Sequence, residues 1–206
     1  MKTWMLLVCL SFQSLLGQKE IQINWDFSTN LEDLSIDQCK FFVGDFIFYR
    51  DGAVVANHPD FILIEKGKRE SVKWVEDEPT TFDSFAFTFG VDSLTHEKGV
   101  MTGDLDPVNG MYWAWQSGYI DLKLEGSWKN QPIQFHLGGY QHPYRADQKV
   151  KIRCSKGQSI FTFPHFLDQS FLEQLNTMGG SEWRIMSPQA EAVKWMKWFA
   201  SKMEAQ

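Results

Sequence analysis

GMYWAWQSGYIDLKLEG, residues 110–126, is the stretch on which the reading of this chain turns. Taken as extended, its period-two alternation sets Met111, Trp113, Trp115, Ser117 and Tyr119 on one face and Tyr112, Ala114, Gln116 and Gly118 on the other. Two indoles one residue apart either pack as a large apolar slab or line a site. Residues 119–125 continue the strand, and residues 133–137 of PIQFHLGGY answer it as an antiparallel neighbour. Ile133, Phe135 and Leu137 share one face of that neighbour, which turns His136 to the other face with Gln134.

Working outward, the same alternation recurs. Ile21, Ile23, Trp25 and Phe27 alternate with polar residues in EIQINWDF, a half-buried first strand. KFFVGDFIFY, residues 40–49, is a second strand with a bulge predicted at Gly44-Asp45. Asp51-Gly52 makes a hairpin turn, residues 53–55 run back from it, and a turn at His58-Pro59-Asp60 precedes a short strand over 61–65. The charged segment 66–83 reads as a connection of low structural content around Val72 to Val75. Phe85, Phe87 and Phe89 form a clear core-facing strand, followed by a turn-rich loop over 92–110, and loops of that length are usually functional or disordered. Val150, Ile152 and Cys154 alternate, and residues 160–163 close the strand set. A short helical piece is predicted over 168–176. Behind Ser187-Pro188, the helical spacing of Ala192, Trp195, Met196, Phe199 and Met203 predicts an amphipathic helix of about four turns. The fold class is mostly β: an antiparallel β-sandwich with a C-terminal amphipathic helix.

Met1 to Gly17 has the form of a cleaved secretory signal: Lys2, an apolar run from Trp4 to Leu10 too short to span a bilayer, and Leu15-Leu16-Gly17 before Gln18. Residues 18–206 then form a single domain located outside the cytoplasm, periplasmic or extracellular, with no transmembrane segment. The formal charge of −6, carried by scattered residues without a basic stripe, argues against nucleic acid as a partner. Of the three cysteines, Cys9 leaves with the signal. Cys39 and Cys154 remain, and an oxidising compartment makes one disulfide between them the economical reading, against two unrelated buried thiols.

The residues that could carry chemistry are few. His96 lies in the long loop, the Trp113/Trp115 pair follows it, and His136 lies on the next strand. Neutral imidazoles without thiolates suit copper or zinc, although no HxH or HExxH is present, and a lone histidine is commonly a hydrogen-bonded structural residue. Asp104 and Asp106 in GDLDP are either oxygen ligands for calcium or the shapers of consecutive turns. His58, His142 and His165 stand beside prolines as exposed loop residues. No GxSxG elbow, phosphate loop or carboxylate dyad is present, so an enzyme is not expected.

These motifs resemble one family. Gly90-Val91 with Leu94-Thr95-His96, GDLDP, MYWAWQSGY and Phe135-His136-Leu137-Gly138 are similar to the MbnP-like proteins, secreted copper-binding proteins of methanobactin systems related to methanotroph surface copper proteins. The match is strongest over residues 85–139. The resemblance implies copper held by histidines, with His136 first through the HLG match and His96 second. It also implies that Trp113 or Trp115 lines the site or is oxidised to kynurenine by a di-haem peroxidase-like partner. The chain departs from some relatives in lacking a four-cysteine pattern and in having Trp183 where a histidine would stand. The expectation is a non-enzymatic protein for extracytoplasmic copper uptake or storage. The alternative is a secreted carbohydrate- or protein-binding module that uses the tryptophans as an aromatic platform.

Overall fold

A computed structural model describes residues 19–76, 81–115, 118–164, 166–179 and 183–204. The expected signal segment, Gln116, Ser117 and His165 lie outside the described residues. In chain order the elements are β1 (Lys19–Trp25), β2 (Leu34–Arg50), β3 (Ala53–Glu65), β4 (Ser71–Glu76), β5 (Ser84–Phe89), α1 (Ser93–Glu97), β6 (Tyr112–Trp113), β7 (Gly118–Tyr119), β8 (Leu122–Trp128), β9 (Gln131–Leu137), β10 (Gln148–Arg153), β11 (Ile160–Phe163), α2 (Gln169–Asn176), β12 (Trp183–Ile185) and α3 (Ala190–Glu204).

The 17-residue β2 is the spine of the main sheet. Along one edge it pairs with β3 from Lys40 to Arg50. The other edge is shared by two strands in tandem, β8 over Leu34 to Phe41 and then β5 over Val43 to Tyr49. The handover falls at Phe42, whose N–H donates to the Asp121 carbonyl at 3.0 Å and whose carbonyl accepts from Gly90 N–H at 2.8 Å. β10 extends the sheet beyond β5, while β9 and β12 extend it beyond β8.

A bulge at Gly44-Asp45 shifts the β2 register, as the sequence predicts. It changes which alternate residues face the core: Cys39, Phe41 and Val43 before it, Phe46 and Phe48 after it. The turn expected at His58-Pro59-Asp60 is absent. These residues lie inside an unbroken β3, because Pro59 and Asp60 fall opposite the bulge, where no ladder bond is required of the proline. Nor is His58 a plain loop residue, for its ring stacks on Trp74 at 4.7 Å.

A second sheet, in the order β11-β1-β4, packs over the first. Ile21, Ile23 and Trp25 are buried between them, and rings such as Trp25 on Phe41 and Phe85 on Phe161 join the layers. The 66–83 connection was expected to lack structure, yet it holds β4, an edge strand paired with β1, where Lys73 and the flanking acids dilute the apolar pattern. Helix α3 lies against β9 and β10 and buries the predicted Ala192, Trp195, Met196, Phe199 and Met203. In α2, the Asp168 carboxylate accepts from Ser170 and Phe171 N–H at the helix start.

Two further expectations are corrected. The tryptophan stretch is not one strand. β6 and β7 form a small hairpin, Tyr112 opposite Tyr119 and Trp113 opposite Gly118, before the chain enters β8. Cys39 and Cys154 are not bridged. Cys154 N–H donates to the Asp83 carbonyl, and Asp83 N–H donates to that of Tyr49, which sets Cys154 at the far end of β2 from Cys39. Ten strand residues span on the order of 30 Å, and a disulfide requires Cα atoms within about 7 Å.

Candidate functional site

The seam at Phe42 is where the candidate site forms. Gly90, at φ 96°, turns the chain out of β5. A Cβ there would lie 2.9 Å from Asp121 Cγ, so glycine is what lets the carboxyl come so close. Val91 N–H donates to Asp121 Oδ1 at 2.8 Å. The Asp92 carboxylate accepts from Thr95 N–H at 2.7 Å and caps α1, which turns His96 inward.

Tyr119 N–H donates to His96 Nδ1 at 3.2 Å. The proton of the neutral ring therefore sits on Nε2, which faces Asp121 Oδ1 at 3.7 Å, and neither side chain has any exposed surface. That separation is too long for a direct hydrogen bond. Among the described residues, both His96 Nε2 and Asp121 Oδ2 lack a hydrogen-bond partner. Burial pushes the Asp121 carboxyl up to about 6, against the lowering influence of His96 and the Val91 N–H.

A cavity of about 150 Å³ opens beside His96, lined by His96, Trp113, Gly118, Tyr119, Gly139, Tyr140, Gln141, His142, Tyr144 and Pro188, with Asp121 behind the histidine and outside the lining. Tyr140 stacks on the His96 ring at 4.7 Å and 11°. The Tyr119 hydroxyl accepts from Met101 N–H and donates to the Gly99 carbonyl, which ties the 92–110 loop to the hairpin. Trp113 is buried, its Nε1 without a partner among the described residues, and its ring lies 3.1 Å from where a Gly138 Cβ would stand, so the glycine of HLG makes room for the indole. Trp115 is 68% exposed and rests on Trp113 with ring centroids 6.1 Å apart.

His96 and Trp113 therefore share one cavity, with Trp115 packed outside it. His136 does not line that cavity. It sits opposite Lys123 with Nε2 2.7 Å from Glu125 Oε1, and burial holds its pKa down while Glu125 acts to raise it. Asp104 accepts from Leu63 N–H and pairs with Arg69, whereas Asp106 accepts from Val108 N–H. The two acids thus serve separate partners, which accords with the turn reading. Sequence reasoning did not single out Asp121, Tyr140 or His142. His142 is exposed, as expected beside its proline, yet it reaches the cavity rim. Asp121 carried no motif, and its depth comes from the seam alone.

Among the described residues no cluster of three or more His, Cys, Asp or Glu side chains is arranged to hold a metal ion. His96 is of the side-chain type copper takes, but with Nδ1 accepting the Tyr119 N–H its Nε2 carries the proton, and it becomes a donor atom only when that proton moves to Nδ1.

The fold is mostly β with a C-terminal helix, and its sheets are mixed, not purely antiparallel as expected, since β1 pairs with β11 and β9 with β12 in parallel; the site is an aromatic pocket at His96. The chain belongs to the MbnP family, whose model matches residues 7–169. Among solved structures it is similar to MbnP from Methylosinus trichosporium, with 12% identity, a TM-score of 0.45, and coverage of 68% of this chain and 73% of that one. A comparison with curated proteins returned no match. No helix among the described residues is long and apolar enough to cross a membrane.

Proposed function

We propose that this protein binds copper outside the cytoplasm, for uptake or storage rather than catalysis, with His96 as the anchoring ligand. The observation that carries the reading is that His96 and Trp113, the histidine and the indole of the family motifs, line one cavity. Copper held at Nε2 would require the ring proton to move to Nδ1, which gives up the Tyr119 N–H bond there. Family membership supports the same reading, with its association with methanobactin systems.

Of the two indoles, Trp113 faces the cavity and Trp115 is open to solvent. A di-haem peroxidase-like partner would meet Trp115 first, and kynurenine at either position is detectable by intact mass. His136 keeps Glu125 on its Nε2 and does not line the cavity that holds His96. The aromatic-platform alternative needs two accessible coplanar indoles, whereas Trp113 is buried and tilted 52° from Trp115.

The test is copper content by elemental mass spectrometry on protein exported by its native host, beside His96→Ala and His136→Ala. The reading expects near-stoichiometric copper that is lost in His96→Ala. Copper retained in that variant, or absent from wild type after reconstitution, would sink it.

A further inference from the structure

We infer that Tyr140 is a positioning residue for His96: its ring, with its backbone tied to α1 by Ser93, clamps the imidazole in the orientation that commits Nδ1 to Tyr119 and turns Nε2 toward Asp121. The positioning is independent of any ligand. Its consequence for copper rests on the reading of the cavity given above.

The imidazole is held from three sides. Tyr140 lies flat on one face, with centroids 4.7 Å apart and planes 11° from parallel. The Tyr119 ring meets it nearly edge-on at 5.2 Å and 73°, and Tyr119 N–H donates to Nδ1 at 3.2 Å. Aromatic contacts of both geometries stabilise beyond the area they bury. A half-turn of the imidazole about its Cβ–Cγ bond would put a carbon where Nδ1 now accepts from Tyr119, and the ring would have to sweep through the space that Tyr140 fills.

Tyr140 is itself fixed. Gly139, at φ 139°, takes a backbone conformation that suits glycine and brings the chain round against the Tyr144 carbonyl, 2.2 Å from where its Cβ would stand. Ala146 N–H donates to the Gly139 carbonyl at 2.8 Å and closes the loop behind Tyr140. Ser93 Oγ donates to the Tyr140 carbonyl at 2.8 Å, and Ser93 belongs to α1, the helix that carries His96. The clamp and the clamped ring therefore share one anchor. So held, neither nitrogen offers a free lone pair, because Nδ1 is taken and Nε2 carries the proton. Tyr140 thus sets how readily His96 becomes a donor.

The experiment is long-range 1H–15N correlation NMR on metal-free protein labelled with 15N in its histidine rings, for wild type, Tyr140→Phe and Tyr140→Ala, with Cu(II) association rates measured on the same samples. Wild type and Tyr140→Phe should each show His96 as one tautomer, with one protonated and one unprotonated nitrogen. Tyr140→Ala should lose that distinction, its two nitrogen shifts moving toward a common average, while the His136 pattern stays as in wild type. Cu(II) association should be about 2- to 10-fold faster in Tyr140→Ala than in wild type, the range expected for one lost aromatic contact. The wild-type pattern retained in Tyr140→Ala, or averaged nitrogens already present in wild type, would overturn the inference. No Cu(II) binding by wild type, with the nitrogen signature as expected, would overturn the proposed function and leave the positioning standing. Should Tyr140→Ala fail to fold, Tyr140→Leu keeps the bulk without a ring face and carries the same expectation.

Discussion

Asp121 is a fully buried carboxyl behind His96, and its ionisation sets a pH dependence of stability. Burial raises its pKa from 3.8 to about 6. In the metal-free protein the folded state therefore holds that proton to higher pH than the unfolded chain. Below pH 3.8 both states are protonated and no penalty applies. Between pH 3.8 and about 6 stability falls as pH rises, by up to about 3 kcal/mol, and it stays lowered above that window. Asp121→Asn lacks this loss, so metal-free Asp121→Asn should gain on wild type between pH 4 and pH 7.5 by about that amount. Urea denaturation at the two pH values measures it, and an equal variant-to-wild-type difference at both would reject the account. Gly90 gives the matching steric prediction. Gly90→Ala places a Cβ against Asp121 at an unfavourable positive φ, and should lower stability by about 1–3 kcal/mol in the same denaturation assay. His96 could be singled out from its loop context, but Asp121, in YIDLKL, sits amid strand alternation that gives no hint of its depth.

The elements differ in how far local pattern reveals them. Helix α3 was legible because its buried residues follow the 3.6-residue period, and the same packing predicts its sensitivity. Trp195 is fully buried against Phe135, Phe171 and Phe199. Trp195→Ala should cost about 3–5 kcal/mol, read from the thermal midpoint or denaturant curve, and a loss under about 1 kcal/mol would contradict the packing described. The β6–β7 hairpin was not legible. Ala114 and Trp115 are not turn formers, and the alternation of large and small residues runs straight through them. The β2 bulge was legible because Gly44-Asp45 interrupts an apolar run, and Asp45 adopts a positive φ there.

At the scale of the whole molecule, Cys154 sits by the Tyr49 end of β2, about ten strand residues from Cys39. Reducing agent should thus leave the thermal midpoint unchanged within about 1 °C, whereas a disulfide over so long a loop would be worth about 4–5 kcal/mol. A large drop on reduction would refute the arrangement. Burial also pushes the Cys39 thiol up, so it should resist thiol reagents until the protein unfolds. The mostly β class, most strands, the terminal helix and the family motifs were readable from residue order, because side-chain periodicity and turn chemistry are local properties of the chain, whereas the parallel pairings of β1 with β11 and β9 with β12 were not. The cavity, the separation of His96 from His136, and the meeting of Gly90, His96, Tyr119 and Asp121 were not. They arise because β5 and β8 share one edge of β2, and pairing between distant segments is set by the packing of both sheets rather than by any pattern within either strand.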